Sequence, residues 1–225
     1  MAYLEQLQQH NTDLQGLIDK ANALPEAITP SGTLQITENG TYNVTNYASA
    51  EVNVAGSGGS GGDDIALWLT REITSYSNPT LETLGAYALS GTNVTTLNLP
   101  ALKTIAGYAF YQCTELTYVN FPLLTEVPNN GFREFSGVVK ADFASITNAR
   151  SNCFYKCTSL DTLIIRSPSV VVLVGGTTFT GTPILNGTGY IYVPSALIDS
   201  YKAATNWSNF ADQFRAIEDY PDICG

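Results

Sequence analysis

Four cysteines and a single histidine are the residues in this chain that could form disulfides or hold a zinc ion. Cys153 and Cys157 lack the C-x2-C spacing and the second ligand pair that zinc sites typically show. His10 lies in a predicted helix, where we expect it to be solvated. No nucleophile with a neighbouring base, no phosphate-binding loop and no metal cluster can be assembled from the sequence. We therefore expect a non-enzymatic protein without metal or cofactor, with Asp63 and Asp64 as solvated linker charges.

The charge balance limits the partners of the protein. The 225-residue chain carries 10 basic and 20 acidic residues, a net charge of -10, and only 13% of its residues are charged. Nucleic acids and anionic membranes would be repelled by such a chain. The first 14 residues do not read as a secretory signal, and no stretch is long enough for a membrane span. We therefore expect no nucleic-acid binding, no membrane insertion, and a chain that remains in the cytoplasm that made it unless it leaves by lysis or within an assembled particle.

Residues 1–25 have the apolar pattern of an oligomerising coiled-coil helix. A seam of alternating three- and four-residue steps, with one polar position that could set the register, consists of Leu4, Leu7, Asn11, Leu14, Ile18 and Ala21. A lone helix of this length is marginal in water, which favours self-association. An amphipathic helix packed on its own domain is the alternative. We expect a homo-oligomer, with a trimer favoured over a dimer.

Residues 30–55 are predicted to form a small β module. Apolar residues alternate along "TLQITENGTYNVTNYASAEVNV", and Asn39-Gly40 is typical of a tight turn between antiparallel strands. We expect a three-stranded meander that needs a partner surface to be stable. Residues 56–63 are a Gly/Ser-rich linker that marks a domain boundary.

The next part of the chain repeats with a period of 22 residues. Phe110, Phe132 and Phe154 are 22 residues apart, and Cys113, Phe135 and Cys157 keep the same step. Three further columns share it, namely Val94, Leu116, Val138 and Leu160; Leu97, Val119, Ala141 and Leu163; and Leu99, Phe121, Phe143 and Ile165. A period this short indicates one turn of a solenoid per unit, because a single unit cannot bury its own apolar face.

The repeat pattern assigns a place to most of its residues. Val119 and Phe121 would point inward from a short strand, while Phe110, Cys113 and Leu116 line the returning arc. Cys113 and Cys157 would then be core residues two turns apart, too distant to form a disulfide. We expect the solenoid to cover residues 64–194.

Residues 195–225 are expected to form a helical C-terminal cap that covers the last turn, with Ser195 as an N-cap. The covering side chains would be Leu197, Ile198, Tyr201, Trp207, Phe210, Phe214 and Ile217. The predicted fold class is mainly β with short helices.

The units "IAGYAFYQCTELTYVNFP" and "ARSNCFYKCTSLDTLIIRSP" resemble the BspA-type leucine-rich repeat, with the pattern I-x-x-x-A-F-x-x-C-x-x-L-x-x-I-x-I-P. The resemblance covers about residues 80–194 and implies a leucine-rich-repeat solenoid. The stretch "ITENGTYNVTNYASAEVNV" is similar to a short module of structural proteins in phages and prophages of Gram-positive bacteria. Together these resemblances imply a phage virion structural protein in the tail, baseplate or head. It would display the repeats for host-surface attachment or particle decoration, with the N-terminal region contacting other virion proteins.

A secreted or cell-surface bacterial adhesin with BspA-type repeats is the alternative function. In either case, outward strand residues are the candidate contacts for a host glycan or protein. We name Tyr118, Asn120, Lys140 and Asp142 as possible receptor contacts. An ordinary solvated sheet face is the alternative interpretation of these four positions.

Overall fold

A computed structural model describes residues 74–225 and, as backbone only, the two strands at 33–36 and 49–52. Short strands dominate the described part. They are β1 (Thr33–Ile36), β2 (Ser49–Val52), β3 (Ser75–Ser77), β4 (Thr83–Leu84), β5 (Thr96–Asn98), β6 (Thr104–Ile105), β7 (Tyr118–Asn120), β8 (Glu126–Val127), β9 (Lys140–Phe143), β10 (Asn148–Ala149), β11 (Thr162–Ile165), β12 (Val172–Leu173), β13 (Tyr190–Val193) and β14 (Phe214–Ala216). The α-helices are α1 (Ile198–Ala203) and α2 (Pro221–Cys224), and 3-10 helices span Ser195–Leu197, Trp207–Gln213 and Ile217–Asp219.

All recorded strand pairs in the described part of the chain are parallel. One sheet has the order β1-β2-β3-β5, a second has the order β14-β13-β11-β9-β7, and β5 lies beside β7. The shorter strands form two sheets on another side, with orders β4-β6 and β12-β10-β8. Tyr118 pairs with Lys140 and Lys140 with Thr162, so successive units are in register at the predicted 22-residue step. The solenoid prediction is confirmed in this respect.

Stacked aromatic rings form the centre of the solenoid. The ring centroids of Phe110 and Phe132 are 5.1 Å apart, those of Phe132 and Phe154 are 5.6 Å apart, and Phe179 continues the stack another 5.6 Å beyond Phe154. We call these four residues the phenylalanine column. All four are buried. Each turn therefore covers the apolar face of its neighbour, as the repeat period predicts.

The cysteines in the repeats are core residues, as predicted for two of them. Cys113 and Cys157 are free and buried, and Phe135 fills the equivalent slot between them. The thiol of Cys113 donates to the carbonyl of Leu89 at 2.8 Å, and burial raises its pKa to about 11. Such thiols are protonated and unreactive at neutral pH.

The C-terminal cap differs from the predicted helical cap. Tyr201, Trp207, Phe210 and Phe214 are buried against the last turn as expected. However, Phe214 begins a strand, β14, which pairs in parallel with β13 and extends the sheet by one strand.

The prediction of Ser195 as an N-cap is also wrong. Ser195 begins a 3-10 helix, and no side-chain hydrogen bond caps that helix. Instead, the backbone N–H of Ser195 donates to the Glu218 carboxylate at 3.0 Å. This bond connects the start of the cap to the 3-10 helix at Ile217–Asp219.

The described strands of the β module pair differently from the predicted meander. β1 and β2 pair in parallel, with Thr33 opposite Ser49, and β2 pairs in parallel with β3. A meander would place its middle strand between them, so the predicted strand order is wrong, and both strands join the sheet that also contains β5. The Asn39-Gly40 turn, the linker at 56–63 and the coiled-coil helix at 1–25 lie outside the described residues.

Candidate ligand-binding face

The side chains that point away from the core along β5, β7, β9, β11, β13 and β14 form the surface that we call the outward face. Alternation on each strand places a core residue such as Val119 between two neighbours that point away from the core. Parallel register and the repeat period align these outward neighbours into two columns. One contains Thr96, Tyr118, Lys140, Thr162 and Tyr190, and the other contains Asn98, Asn120, Asp142, Ile164 and Tyr192. The sequence predicted Tyr118 and Lys140 of the first column and Asn120 and Asp142 of the second as outward residues.

Tyr118 and Asn120 lie on the exposed part of this face. Tyr118 is 44% exposed, and the ammonium group of Lys140 lies 5.2 Å from its ring centroid, within range of a cation–π contact. Partial burial, followed by the charge of Asp142, raises the pKa of the Tyr118 hydroxyl, which therefore stays protonated at neutral pH. The pair offers an aromatic ring, a hydroxyl and an amide to a ligand.

Asp142 is not available as a receptor contact. It is 4% exposed and accepts a bidentate hydrogen bond from Arg166, with Nε to Oδ1 at 2.9 Å and Nη2 to Oδ2 at 2.7 Å. Fork-shaped pairing of this kind is the strong form of a carboxylate–guanidinium interaction. The assignment of Asp142 as an exposed contact is therefore wrong, because its carboxylate is already paired inside the protein.

The last residues of the chain cover the second half of the outward face. We call residues 217–225 the C-terminal segment. The ammonium group of Lys140 donates to the Ile223 carbonyl at 2.5 Å, and Arg166 donates to the Cys224 carbonyl. Lys140 thus contacts Tyr118 on one side and the C-terminal segment on the other, which leaves it only half-buried.

Apolar residues at outward positions hold the C-terminal segment. Ile164 and Tyr192 are buried with Cys224 in a small cluster separate from the main core, and Tyr220 packs edge-on against Tyr192 with centroids 5.4 Å apart. Sequence reasoning did not identify this contact. The signal was present, because Ile164 and Tyr192 carry large apolar groups in the column where β5 and β7 have Asn98 and Asn120. The part of the outward face on β5 and β7, with Thr96, Asn98, Tyr118 and Asn120, is exposed, and we call it the open half.

Two searches of the described residues bear on other kinds of site. In residues 74–225, no three His, Cys, Asp or Glu side chains cluster so that they could hold a metal ion. None of the helices in the same part of the chain has the length and apolarity required to cross a membrane.

A comparison with family models identifies the repeats. The model described as a BspA type leucine rich repeat region matches residues 82–199 in six copies, which is more than half of the chain. The chain belongs to the BspA-type leucine-rich repeat family. The comparison with curated proteins gives no match.

The BspA-type repeats coincide with the part of the chain that forms the parallel solenoid, and their match extends into α1. Repeats of this type suggest a surface-binding or adhesin-like protein. In the structure, the open half of the outward face is the candidate surface for such binding.

Proposed function

We propose that this protein is a non-enzymatic attachment protein that binds a host cell-surface glycan or protein through the open half of its outward face. The observation that carries the proposal is the exposure of Tyr118 and Asn120 next to each other on a rigid parallel sheet. Aromatic residues are enriched at binding surfaces because a ring gives a large contact area at a low entropic cost. The rest of the outward face is occupied by the chain itself.

The binding test uses the full chain with a fluorescent label and whole cells of the host bacterium. The double variant Tyr118→Ala/Asn120→Ala should bind at least about fivefold more weakly, as expected from the loss of a central aromatic contact. Leu123→Ala is the matched control, since Leu123 is also exposed, at 45%, but lies beyond β7. Cell binding that is equal in wild type and double variant would rule out the open half. Release of soluble sugar or peptide from the cells would contradict a non-enzymatic role.

We infer that the protein works as a virion component of a phage, in the tail, baseplate or head. The similarity of residues 36–54 to a module of phage structural proteins supports this inference. A bacterial surface adhesin is the second candidate, and membership in the BspA-type family favours it. Mass spectrometry of purified particles and of the cell-wall fraction separates the two. The chain should be found in the particles, and its presence in the cell wall alone would favour the adhesin.

We also propose that residues 1–25 join copies of the chain into a homo-oligomer, with a trimer favoured by analogy, and that they contact other virion proteins. The open half has four named side chains, whereas a standard interface involves about 20–30 residues a side, so a single copy should bind weakly. Several linked copies raise the apparent affinity by multivalency. Deleting residues 1–24 should lower the mass measured by light scattering. An unchanged mass would refute this role for the helix.

A further inference from the structure

Three tyrosines from two neighbouring turns form an aromatic cluster on a different part of the solenoid. The rings of Tyr87 and Tyr108 stack with centroids 5.2 Å apart and an interplanar angle of 4°. Tyr111 packs edge-on against both, at 6.1 Å from Tyr87 and 5.8 Å from Tyr108. Tyr87 is 53% exposed, and the other two are partly exposed. We call these residues the tyrosine triad. They belong to the turns that follow β4 and β6, and not to the outward face.

The backbone at two triad positions is unfavourable for tyrosine. Tyr87 has φ 59° and Tyr108 has φ 62°, in the left-handed region. Asn130 and Asn152 occupy the equivalent positions of the next two turns, with φ 59° and 57°. Asparagine tolerates this conformation better than residues with bulky side chains. Folding alone therefore favours asparagine at 87 and 108, and an unfavourable conformation of this kind often marks a functional position.

An amide and a paired set of opposite charges lie beside the tyrosine triad. The negative charge of Glu134 raises the pKa of the Tyr111 hydroxyl, with which the carboxylate also forms a hydrogen bond. Gln112, the residue after Tyr111, is exposed. Arg133, at the position of the next turn equivalent to Tyr111, pairs with Glu134 at 3.4 Å, and its guanidinium group lies over the ring of Tyr155 at 4.5 Å.

This arrangement matches the chemistry of a neutral sugar. A pyranose ring has an apolar face of C–H groups that packs on aromatic rings, and hydroxyls that bond to tyrosine, amide and carboxylate groups. The Glu134–Arg133 pair beside the triad is neutral as a whole, and the net charge of -10 disfavours an anionic polymer. Mutual stacking holds the rings in place, so little side-chain entropy is lost on binding.

We propose that the tyrosine triad is a binding site for a neutral polysaccharide. The site extends the attachment function proposed above, on which its biological role rests. It is separate from the open half, so the two surfaces can be tested independently.

The test is isothermal titration calorimetry of the full chain with cellopentaose, maltopentaose and chitopentaose. At least one of these neutral glycans should bind with a Kd below about 1 mM. The variant Tyr87→Asn/Tyr108→Asn should weaken that binding tenfold or more. Its melting temperature should stay within about 2 °C of wild type or rise, because asparagine suits the backbone at both positions. Leu123→Ala is the matched control, because Leu123 is 45% exposed and lies outside both the triad and the open half, and it should change the Kd less than twofold.

Each other outcome overturns the proposal in a recognisable way. If none of the three glycans binds while the labelled chain still binds cells, the triad is not a glycan site and the attachment function stands. If a proline-rich peptide or pentagalacturonate binds and the neutral glycans do not, the triad recognises a peptide or an anion. Glycan binding that the asparagine variant leaves unchanged places the glycan elsewhere on the protein.

Discussion

Replacement of Phe132 by alanine tests the stacked core of the solenoid. Phe132 is 1% exposed and lies between Phe110 and Phe154 in the phenylalanine column, with further ring contacts to Phe135 at 6.1 Å and Phe143 at 5.8 Å. Its truncation removes most of a buried ring and leaves a cavity that the stacked turns cannot close without moving. The free energy of unfolding should therefore fall by about 3 to 5 kcal/mol.

Urea unfolding of the full chain, followed by circular dichroism, measures this loss. With an unchanged slope, the midpoint should move to lower urea concentration. Leu123→Ala is the surface control, because Leu123 is 45% exposed, and it should change the free energy of unfolding by less than about 0.5 kcal/mol. A loss below about 1 kcal/mol for Phe132→Ala would refute the stacked arrangement.

Three further predictions concern the paired charge, the C-terminal segment and the buried thiol. Arg166→Ala should destabilise the protein by about 2 kcal/mol in the same urea assay, because it leaves the buried Asp142 carboxylate unpaired. The exposed pair Arg150–Glu126 is the control, and Arg150→Ala should cost less than about 0.5 kcal/mol; equal losses for both would contradict the buried pairing. Deleting residues 218–225 should increase binding of the dye ANS by exposing Ile164 and Tyr192, and unchanged dye binding would show that the segment does not cover them. Burial raises the pKa of the folded-state Cys113 thiol from 9 to about 11, so its contribution to stability is complete below pH 9 and declines as the pH rises to about 11. Cys113→Ala should flatten this decline in the free energy of unfolding. An unchanged pH profile would contradict a buried thiol.

The repeat period predicted the solenoid because each column of residues has one structural role. Phe110 and Phe132 occupy equivalent positions, so the spacing of the sequence translates directly into the stacking of rings. The same logic placed Tyr118 beside Lys140 and Cys113 in the core. Local pattern was sufficient here, since every turn packs against its nearest neighbours in sequence.

The C-terminal segment could not be predicted in the same way. Its contacts join Lys140 to Ile223, 83 residues apart, and Arg166 to Cys224, 58 residues apart, with no period to relate them. Consequently, Asp142 and Lys140 were predicted as exposed contacts, whereas Asp142 is buried and Lys140 donates a hydrogen bond to the C-terminal segment. β14 was missed because Phe214 lies among residues with a helical pattern, and its strand conformation depends on pairing with β13.

The parallel pairing of β1 and β2 was missed for a related reason. Asn39-Gly40 favours a hairpin from β1 to the segment that follows, which would put another strand between β1 and β2, but in the structure β2 pairs with both β1 and β3. The tyrosine triad was visible in the sequence only as Tyr87, Tyr108 and Tyr111. The argument that it is a binding site uses the ring stacking and the left-handed backbone at two of these residues, and only the structure shows both.

Hydrogen–deuterium exchange of the full chain, free and bound to a host cell-wall preparation, most directly tests whether the exposed surface of the repeats binds the ligand. The account predicts slower exchange on binding in the N-terminal repeats, at residues 83–120, and unchanged exchange in the cap at residues 195–225. Protection confined to the cap, or no protection in residues 83–120 of a chain that is demonstrably bound, would contradict it.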